Sequence, residues 1–170
     1  MKIYVASSWK NMMQQGCVEV LRRLGHEVYD FKKPNGEKGF SWTDIDPDWS
    51  DKPLGKRWTN EQYIENLKTP AAELGFKRDM DALRNCDAVV LVLPCGRSAH
   101  TEAGWACGAG IPVVVLLEPN LVHINGREDI MPTQMAGDPE LMYKMYDSIA
   151  ADFDSMLNRV EYLESRLLAK

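Results

Sequence analysis

The stretch AVVLVLPCGRSAHTEAG, residues 88–104, decides the fold. Its first six residues are aliphatic without interruption, which is typical of a strand buried on both faces of a parallel sheet. Residues 94–97 contain proline and glycine and predict a turn, and residues 98–110 predict a helix. A second aliphatic run, residues 112–117, follows. Strand, helix and strand in this order predict a parallel pair joined by a crossover helix.

The same alternation continues toward both ends of the chain. The other predicted elements are strands at 2–6 and 26–31, helices at 9–24, 60–68 and 70–85, and a weak fifth strand at 121–125 or near Ile130. We therefore predict an α/β fold, a flavodoxin-like or Rossmann-like open parallel sheet of about five strands with helices on both faces. The length of 170 residues fits one domain spanning residues 1–170.

Residues 32–59 interrupt this pattern with a proline- and glycine-rich stretch that contains Trp42, Trp49 and Trp58. A loop of this length is uncommon in a compact domain, and three tryptophans argue against disorder. We expect an ordered insertion that forms a flap over a pocket, where the indoles could stack on a base or exclude water. The alternative is a loop that only covers an apolar edge of the core.

A long C-terminal helix is predicted at about residues 138–168. Its apolar residues recur at spacings of four and three, as in a heptad seam: Ile149, Phe153, Met156, Val160, Leu163 and Leu167. Such a stripe must be buried, either on the sheet of its own chain or against a partner. The 4-3 spacing favours helix-on-helix packing, so we expect a homodimer or a higher homo-oligomer.

Composition and charge narrow the class of partner. The chain has 20 Lys and Arg against 25 Asp and Glu, a net charge of −5, and no dense basic run, which disfavours nucleic acids and anionic membranes. No apolar run approaches the length of a membrane span, and the N-terminal apolar stretch is too short for a signal peptide. We expect a folded, soluble, cytoplasmic protein that acts on a small molecule.

The four cysteines, Cys17, Cys86, Cys95 and Cys107, contain no Cys-x-x-Cys pair and are expected to be reduced thiols. A zinc site formed by Cys95, His100 and Cys107 is conceivable, but structural zinc usually has two closely spaced ligand pairs. Buried structural cysteine is the favoured interpretation. No metal and no cofactor are expected, since the chain also lacks the glycine motifs of dinucleotide and P-loop sites.

In an open α/β sheet, ligands bind at the carboxyl ends of the strands where the strand order reverses. Two loops therefore carry the candidate substrate-binding residues: Ser7, Ser8 and Trp9 after the first strand, and Gly96, Arg97, Ser98 and His100 after the third. The second loop combines glycine, an N-cap candidate (Ser98), helix amides and an arginine, which suit an anion such as phosphate. His100 is either a general acid or a hydrogen-bonding residue of the loop.

Glu102 is expected in the first turn of the following helix, where the helix dipole would keep its carboxyl ionised and able to act as a nucleophile. The alternative is that the acidic residue only stabilises the helix end. Asp79, on the helix before the third strand, could supply a second carboxyl to the same cleft, although surface solvation would also explain it.

Several segments together resemble the nucleoside 2-deoxyribosyltransferase superfamily, including its nucleoside-monophosphate N-glycosidase branch. They are IYVASS at 3–8, RDMDAL at 78–83, CDAVVL at 86–91, SAHTEAG at 98–104 and GIPV at 110–113. The resemblance implies a flavodoxin-like fold, an enzyme that cleaves or exchanges the N-glycosidic bond of a nucleoside or nucleoside 5′-monophosphate, and oligomers that complete each other's sites. It also implies that Glu102 is the nucleophile and that Asp79 helps to protonate the leaving base.

The chain departs from this family at Gly96 and at the tryptophan-rich insertion. The transferases commonly place an aspartate six residues before the nucleophile, and the glycosidase branch often has a serine there that holds the 5′-phosphate. Arg97 and Ser98 are near enough to replace that serine. A second hypothesis is a non-catalytic nucleotide-binding or sensing module, in which Glu102 contacts a ribose hydroxyl.

Overall fold

The structure is a computed structural model that describes residues 1–53, 58–117 and 141–169. Its sheet has five parallel strands in the order β2-β1-β3-β4-β5. The strands are β1 (Lys2–Ala6), β2 (Glu27–Asp30), β3 (Ala88–Val92), β4 (Val113–Leu116) and β5 (Ser148–Ala150). The predicted flavodoxin-like architecture is confirmed, because this order reverses between β1 and β3.

The described residues form five α-helices. They are α1 (Met13–Arg23), α2 (Asn60–Asn66), α3 (Pro70–Arg84), α4 (Arg97–Gly108) and α5 (Phe153–Leu168). Local sequence explains how two of them begin. The Thr59 side chain accepts a hydrogen bond from the amide of Gln62 at the start of α2, and Thr69 caps α3 directly before Pro70.

Helices cover both faces of the sheet, and the side-chain alternation of the strands decides which residues each face receives. Val5 of β1 and Val90 of β3 lie in the apolar cluster that contains residues of α1 and α5. Tyr4 and Val89 point the opposite way, into the cluster that contains residues of α3 and α4. The candidate carboxyl groups, Asp79 and Glu102, belong to this second pair of helices.

The C-terminal helix begins later than the sequence predicts. Residues 138–140 lie outside the described residues, but Leu141–Met145 form a 3-10 helix and Ser148–Ala150 form β5, which pairs with β4. The α-helix starts at Phe153, where the Asp152 side chain accepts a hydrogen bond from the Ser155 amide at 2.8 Å. The predicted fifth-strand segments, 121–125 and the region near Ile130, also lie outside the described residues.

The middle of the apolar stripe of α5 is buried on the sheet of its own chain. Met156, Val160 and Leu163 are at most 4% exposed and belong to the cluster formed with β1, β3 and β4. Ile149 is not part of the helix; it lies in β5 and is 49% exposed. The predicted heptad seam is therefore wrong as an oligomer interface, because the same spacing serves packing within the chain.

The insertion is ordered around an aromatic cluster made of Phe40, Trp42, Trp49, Trp58 and Tyr63. The Trp42 ring contacts the other four, with ring-centre distances between 5.1 and 6.4 Å. The Trp58 indole donates a hydrogen bond to Asp46 at 2.8 Å. The described residues of the insertion contain only short 3-10 turns, Pro34–Gly36 and Trp42–Asp44. The tryptophans thus form a small core of their own.

No helix in the described parts of the chain combines the length and the apolar character that a membrane span requires.

Candidate functional site

Two half-buried carboxyl groups lie together on the α3/α4 face of the sheet. Asp79 comes from the middle of α3 and Glu102 from the middle of α4, and these two helices contact each other. Asp79 is close enough to Glu102 to raise its pKa by charge repulsion. Carboxyl pairs of this kind supply the two groups of acid–base and nucleophilic catalysis at a glycosidic bond.

The pKa of Glu102 is raised to about 7. Burial is the main cause, and the neighbouring Asp79 carboxylate is the second. Burial also raises the pKa of Asp79, and the hydrogen bond from Tyr29 opposes that rise. Both carboxyl groups therefore hold their protons more tightly than they would in water, as functional carboxyl groups often do.

The position of Glu102 differs from the expected one. Gly96, rather than Ser98, is the N-cap of α4, so Glu102 is the sixth residue of the helix and lies in its second turn. The stabilising effect of the helix dipole on an anion is confined to the first turn. Desolvation therefore dominates, and the carboxyl is not held fully ionised.

Two tyrosines that the sequence analysis missed accompany the carboxyl groups. The Tyr29 hydroxyl donates a hydrogen bond to Asp79 Oδ1 at 2.8 Å. The Tyr4 hydroxyl is buried near Glu102. It has no hydrogen bond of standard geometry to a described residue, but its proximity lowers the Glu102 pKa and so opposes the effects of burial and of Asp79. The two rings stack with centres 5.2 Å apart.

A sequence signal for this pair exists. Tyr4 and Tyr29 are the aromatic residues of β1 and β2, and they are direct partners in the register of the two parallel strands. Burial and the nearby carboxylates raise the pKa of both phenols, so each stays protonated and can donate a hydrogen bond.

The loop after β1 has a structural role in the described arrangement. The Ser7 hydroxyl donates to the Val92 carbonyl at 2.8 Å, which ties the end of β1 to the end of β3. The buried Asn11 amide donates to the same carbonyl and to the Pro94 carbonyl, at 3.2 and 3.1 Å.

Ser8 and Trp9, the other two candidate residues of this loop, also contact neighbouring residues of the chain. Ser8 Oγ accepts a hydrogen bond from the Lys10 amide at 3.2 Å. The Trp9 ring is 47% exposed and packs edge-on against Phe31. Their assignment to substrate binding stays a prediction.

The His100 side chain connects the loop after β3 to Tyr143. Its Nδ1 atom lies 3.0 Å from the Gly96 carbonyl oxygen, and its Nε2 atom lies 2.7 Å from the Tyr143 hydroxyl. The Arg97 and Ser98 side chains are exposed in the first turn of α4. The geometry of His100 favours a hydrogen-bonding residue of the loop over a general acid.

The conceivable zinc ligands do not come together. Cys95 Sγ lies 3.4 Å from His100 Nδ1, but Cys107 Sγ donates to the Met145 carbonyl. Within the described residues, no three His, Cys, Asp or Glu side chains are arranged to hold a metal ion. All four cysteines are free thiols, and burial, with a contribution from Glu102, raises the pKa of Cys95 to about 12.

A pocket of about 270 Å³ opens beside Asp79. It is lined by α3, the end of β2 and the insertion, and the loops that contain Ser7 and Gly96 do not line it. Phe40 contributes to its wall, whereas none of the three tryptophans does. The indoles pack against one another and do not line this pocket, so their stacking on a base stays a prediction without support here.

No family model and no curated protein matches the chain. Among solved structures, it is similar to a 2-deoxyribosyltransferase from the psychrotolerant bacterium Bacillus psychrosaccharolyticus, at 20% identity over 68% of this chain and 72% of that one, with a TM-score of 0.39. It is also similar to the CMP N-glycosidase BcmB of Clostridium botulinum, at 15% identity over 95% of this chain and 98% of that one, with a TM-score of 0.43.

Proposed function

We propose that this protein cleaves or exchanges the N-glycosidic bond of a (deoxy)nucleoside or nucleoside 5′-monophosphate, with Glu102 as the nucleophile. The observation that carries the proposal is the pair of half-buried carboxyl groups, Glu102 and Asp79, each beside a protonated tyrosine. One carboxylate can attack the sugar while the other carboxyl group gives a proton to the departing base.

In the first step, the Glu102 carboxylate attacks the anomeric carbon and the bond from that carbon to the base nitrogen breaks. The electron pair of that bond goes to the base, which takes a proton from Asp79. This leaves a glycosyl ester on Glu102. In the second step, water gives a proton back to Asp79, attacks the anomeric carbon and frees Glu102; if a second base attacks instead, the reaction is a transfer.

The raised pKa values suit these two roles. Burial raises the pKa of both carboxyl groups, and the repulsion between their charged forms favours a pair that holds one proton. With that proton on Asp79, Glu102 is ionised and can attack while Asp79 protonates the leaving base. Glu102 must be ionised to attack, and a pKa of about 7 makes its ionised form abundant only above neutral pH. We therefore propose that turnover increases from pH 6 to pH 8.

The direct test is release of free base. The protein is incubated at pH 8 with a panel of nucleosides, 2′-deoxynucleosides and their 5′-monophosphates, and free base is measured by chromatography. Release from at least one substrate supports the proposal. Saturable binding of a panel member without any release would instead support the binding or sensing module.

Arg97 is expected to determine whether a 5′-phosphate is preferred. The residue is exposed in the first turn of α4, where a guanidinium and the helix amides can bind an anion. If they do, Arg97→Ala will weaken monophosphate turnover at least about tenfold and leave nucleoside turnover unchanged. Arg84→Ala, which removes another exposed arginine at the end of α3, is the matched control. Equal losses for both substrate classes would contradict this role.

We also propose that the protein is a homodimer or a higher homo-oligomer. Met156, Val160 and Leu163 of the predicted stripe are buried inside the chain, so an interface must involve apolar side chains that remain exposed. Ile149, Tyr162, Leu167 and Leu168 are each at least 40% exposed. Light scattering should give a mass of at least twice 19.3 kDa. A monomer at micromolar concentration would refute the assembly.

A further inference from the structure

The pocket beside Asp79 extends beyond the residues of the candidate site that line it. It extends from Asp79 and Tyr29 along α3 to the insertion, over a volume of about 270 Å³. Pockets for drug-sized ligands start near 300 Å³, so this one suits a group of about the size of a nucleobase. Because Asp79 lies in its wall and Glu102 does not, the pocket extends away from the nucleophile.

Phe40 is the part of the insertion that fixes the pocket wall. Its side chain packs against α3 at Gly75, where an added Cβ atom would lie only 2.6 Å from Phe40 Cβ. On the other side, Trp42 contacts the Phe40 ring edge-on at 5.1 Å. Trp42 in turn contacts Trp49 and Trp58, so the tryptophan cluster packs against Phe40 through Trp42.

The chemistry of the wall indicates an uncharged, planar ligand. Tyr29, Phe31 and Phe40 supply aromatic surface. Lys38 is paired with Asp44. Arg78 is paired with Glu37 at 3.1 Å. The lining carries two basic side chains and two acidic ones, Asp44 and Asp79, so it has no excess positive charge to attract an anionic ligand.

We propose that Phe40 is a specificity-determining residue: it selects a neutral, planar heterocyclic leaving group that occupies the pocket lined by the insertion and α3. The inference rests on the proposed function, since it places the base on the Asp79 side and the bond to be broken between Asp79 and Glu102. The insertion thus acts on substrate choice through Phe40, and its tryptophans act by holding Phe40 in place.

The test compares Phe40→Ala with Phe76→Ala. Phe76 is an aromatic residue of α3 that is 67% exposed and does not line the pocket. The value of kcat/KM is measured for substrates with pyrimidine, purine and bulkier N-substituted purine leaving groups. Loss of aromatic contact should lower kcat/KM about 10- to 100-fold for the wild-type protein's preferred base and shift preference toward the bulkier groups. Phe76→Ala should change neither value by more than about twofold.

A binding measurement separates this inference from the catalytic proposal. Calorimetric titration with free adenine and free cytosine, and with benzoate as a planar anion, reports on the pocket even if the protein shows no turnover. We expect at least one base to bind more tightly than benzoate and Phe40→Ala to weaken that binding at least tenfold. Base binding without turnover would overturn the catalytic proposal and support the pocket.

Two results would overturn the role of Phe40. One is base turnover that Phe40→Ala leaves unchanged in rate and preference; the other is failure of every free base to bind the wild-type protein. The near-ultraviolet circular dichroism of the tryptophan cluster checks that the insertion remains ordered. If Phe40→Ala disturbs it, Phe40→Leu, which retains an apolar side chain without the aromatic face, takes its place and should show the same loss for the preferred base.

Discussion

Replacing Glu102 with glutamine is expected to lower base release at least about 10³-fold while the protein stays folded. The amide keeps the shape of the side chain but cannot form the glycosyl ester, so the loss should appear in kcat. The rate is measured at pH 8, where a carboxyl with a pKa of about 7 is mostly ionised.

Glu73→Gln is the matched control, because Glu73 is an exposed carboxyl in the first turn of α3. Its turnover should stay within about twofold of the wild-type value. If Glu102→Gln keeps more than a tenth of the wild-type rate, Glu102 is not the nucleophile.

The same substitution is expected to increase stability at pH 8. Folding raises the pKa of Glu102 from its ordinary 4.5 to about 7, so the folded state binds its proton more tightly than the unfolded state does. The wild-type protein therefore loses stability as pH rises through this range, by up to about 3 kcal/mol. A neutral glutamine avoids that loss.

Urea unfolding at pH 8 and at pH 5 measures this effect. Glu102→Gln should raise the free energy of unfolding at pH 8, and the gain over wild type should be much smaller at pH 5, where Glu102 is largely protonated. A variant that is less stable than wild type at pH 8, or a gain that does not depend on pH, would contradict the burial of an ionisable Glu102. Greater stability with lower activity is the expected signature of a functional site.

Strands β3 and β4 were predictable because a strand that is buried on both faces is a continuous aliphatic run. Strand β5 was not, because Ser148–Ala150 lies inside the predicted C-terminal helix. The run 88–93 has no polar residue, and β3 is fully buried within it. Helix starts were predictable at α2 and α3, where Thr59 and Thr69 serve as caps. The start of α5 was not, because Ile149 fits the heptad spacing although it lies in β5. Spacing alone does not show that the chain pairs with β4 before the helix begins.

The candidate site was predictable in part. Glu102 and Asp79 were the expected carboxyl groups, and the structure places them on adjacent helices of one face, whereas their catalytic roles stay a proposal. The raised pKa of Glu102 was not predicted, because it depends on burial in the folded protein. The roles of Tyr4 and Tyr29 depend on which sheet face receives α3 and α4, and alternation within a strand does not reveal that.

Phe40 was missed for a similar reason. The sequence shows that the insertion is aromatic, but only the folded arrangement shows that the tryptophans contact each other and that Phe40 reaches α3 at Gly75. The sequence analysis therefore expected the tryptophans to contact a ligand, whereas Phe40, and none of the tryptophans, lines the described pocket.

The most direct test of the central claim is the stereochemistry of the transfer. The protein is incubated at pH 8 with a substrate whose base it releases, in the presence of methanol as acceptor, and the anomeric configuration of the methyl glycoside is determined by NMR. Attack by Glu102 followed by attack of methanol inverts the anomeric carbon twice, so the account predicts retention of configuration. Inversion would show a single displacement without a glycosyl ester on Glu102 and would contradict the account.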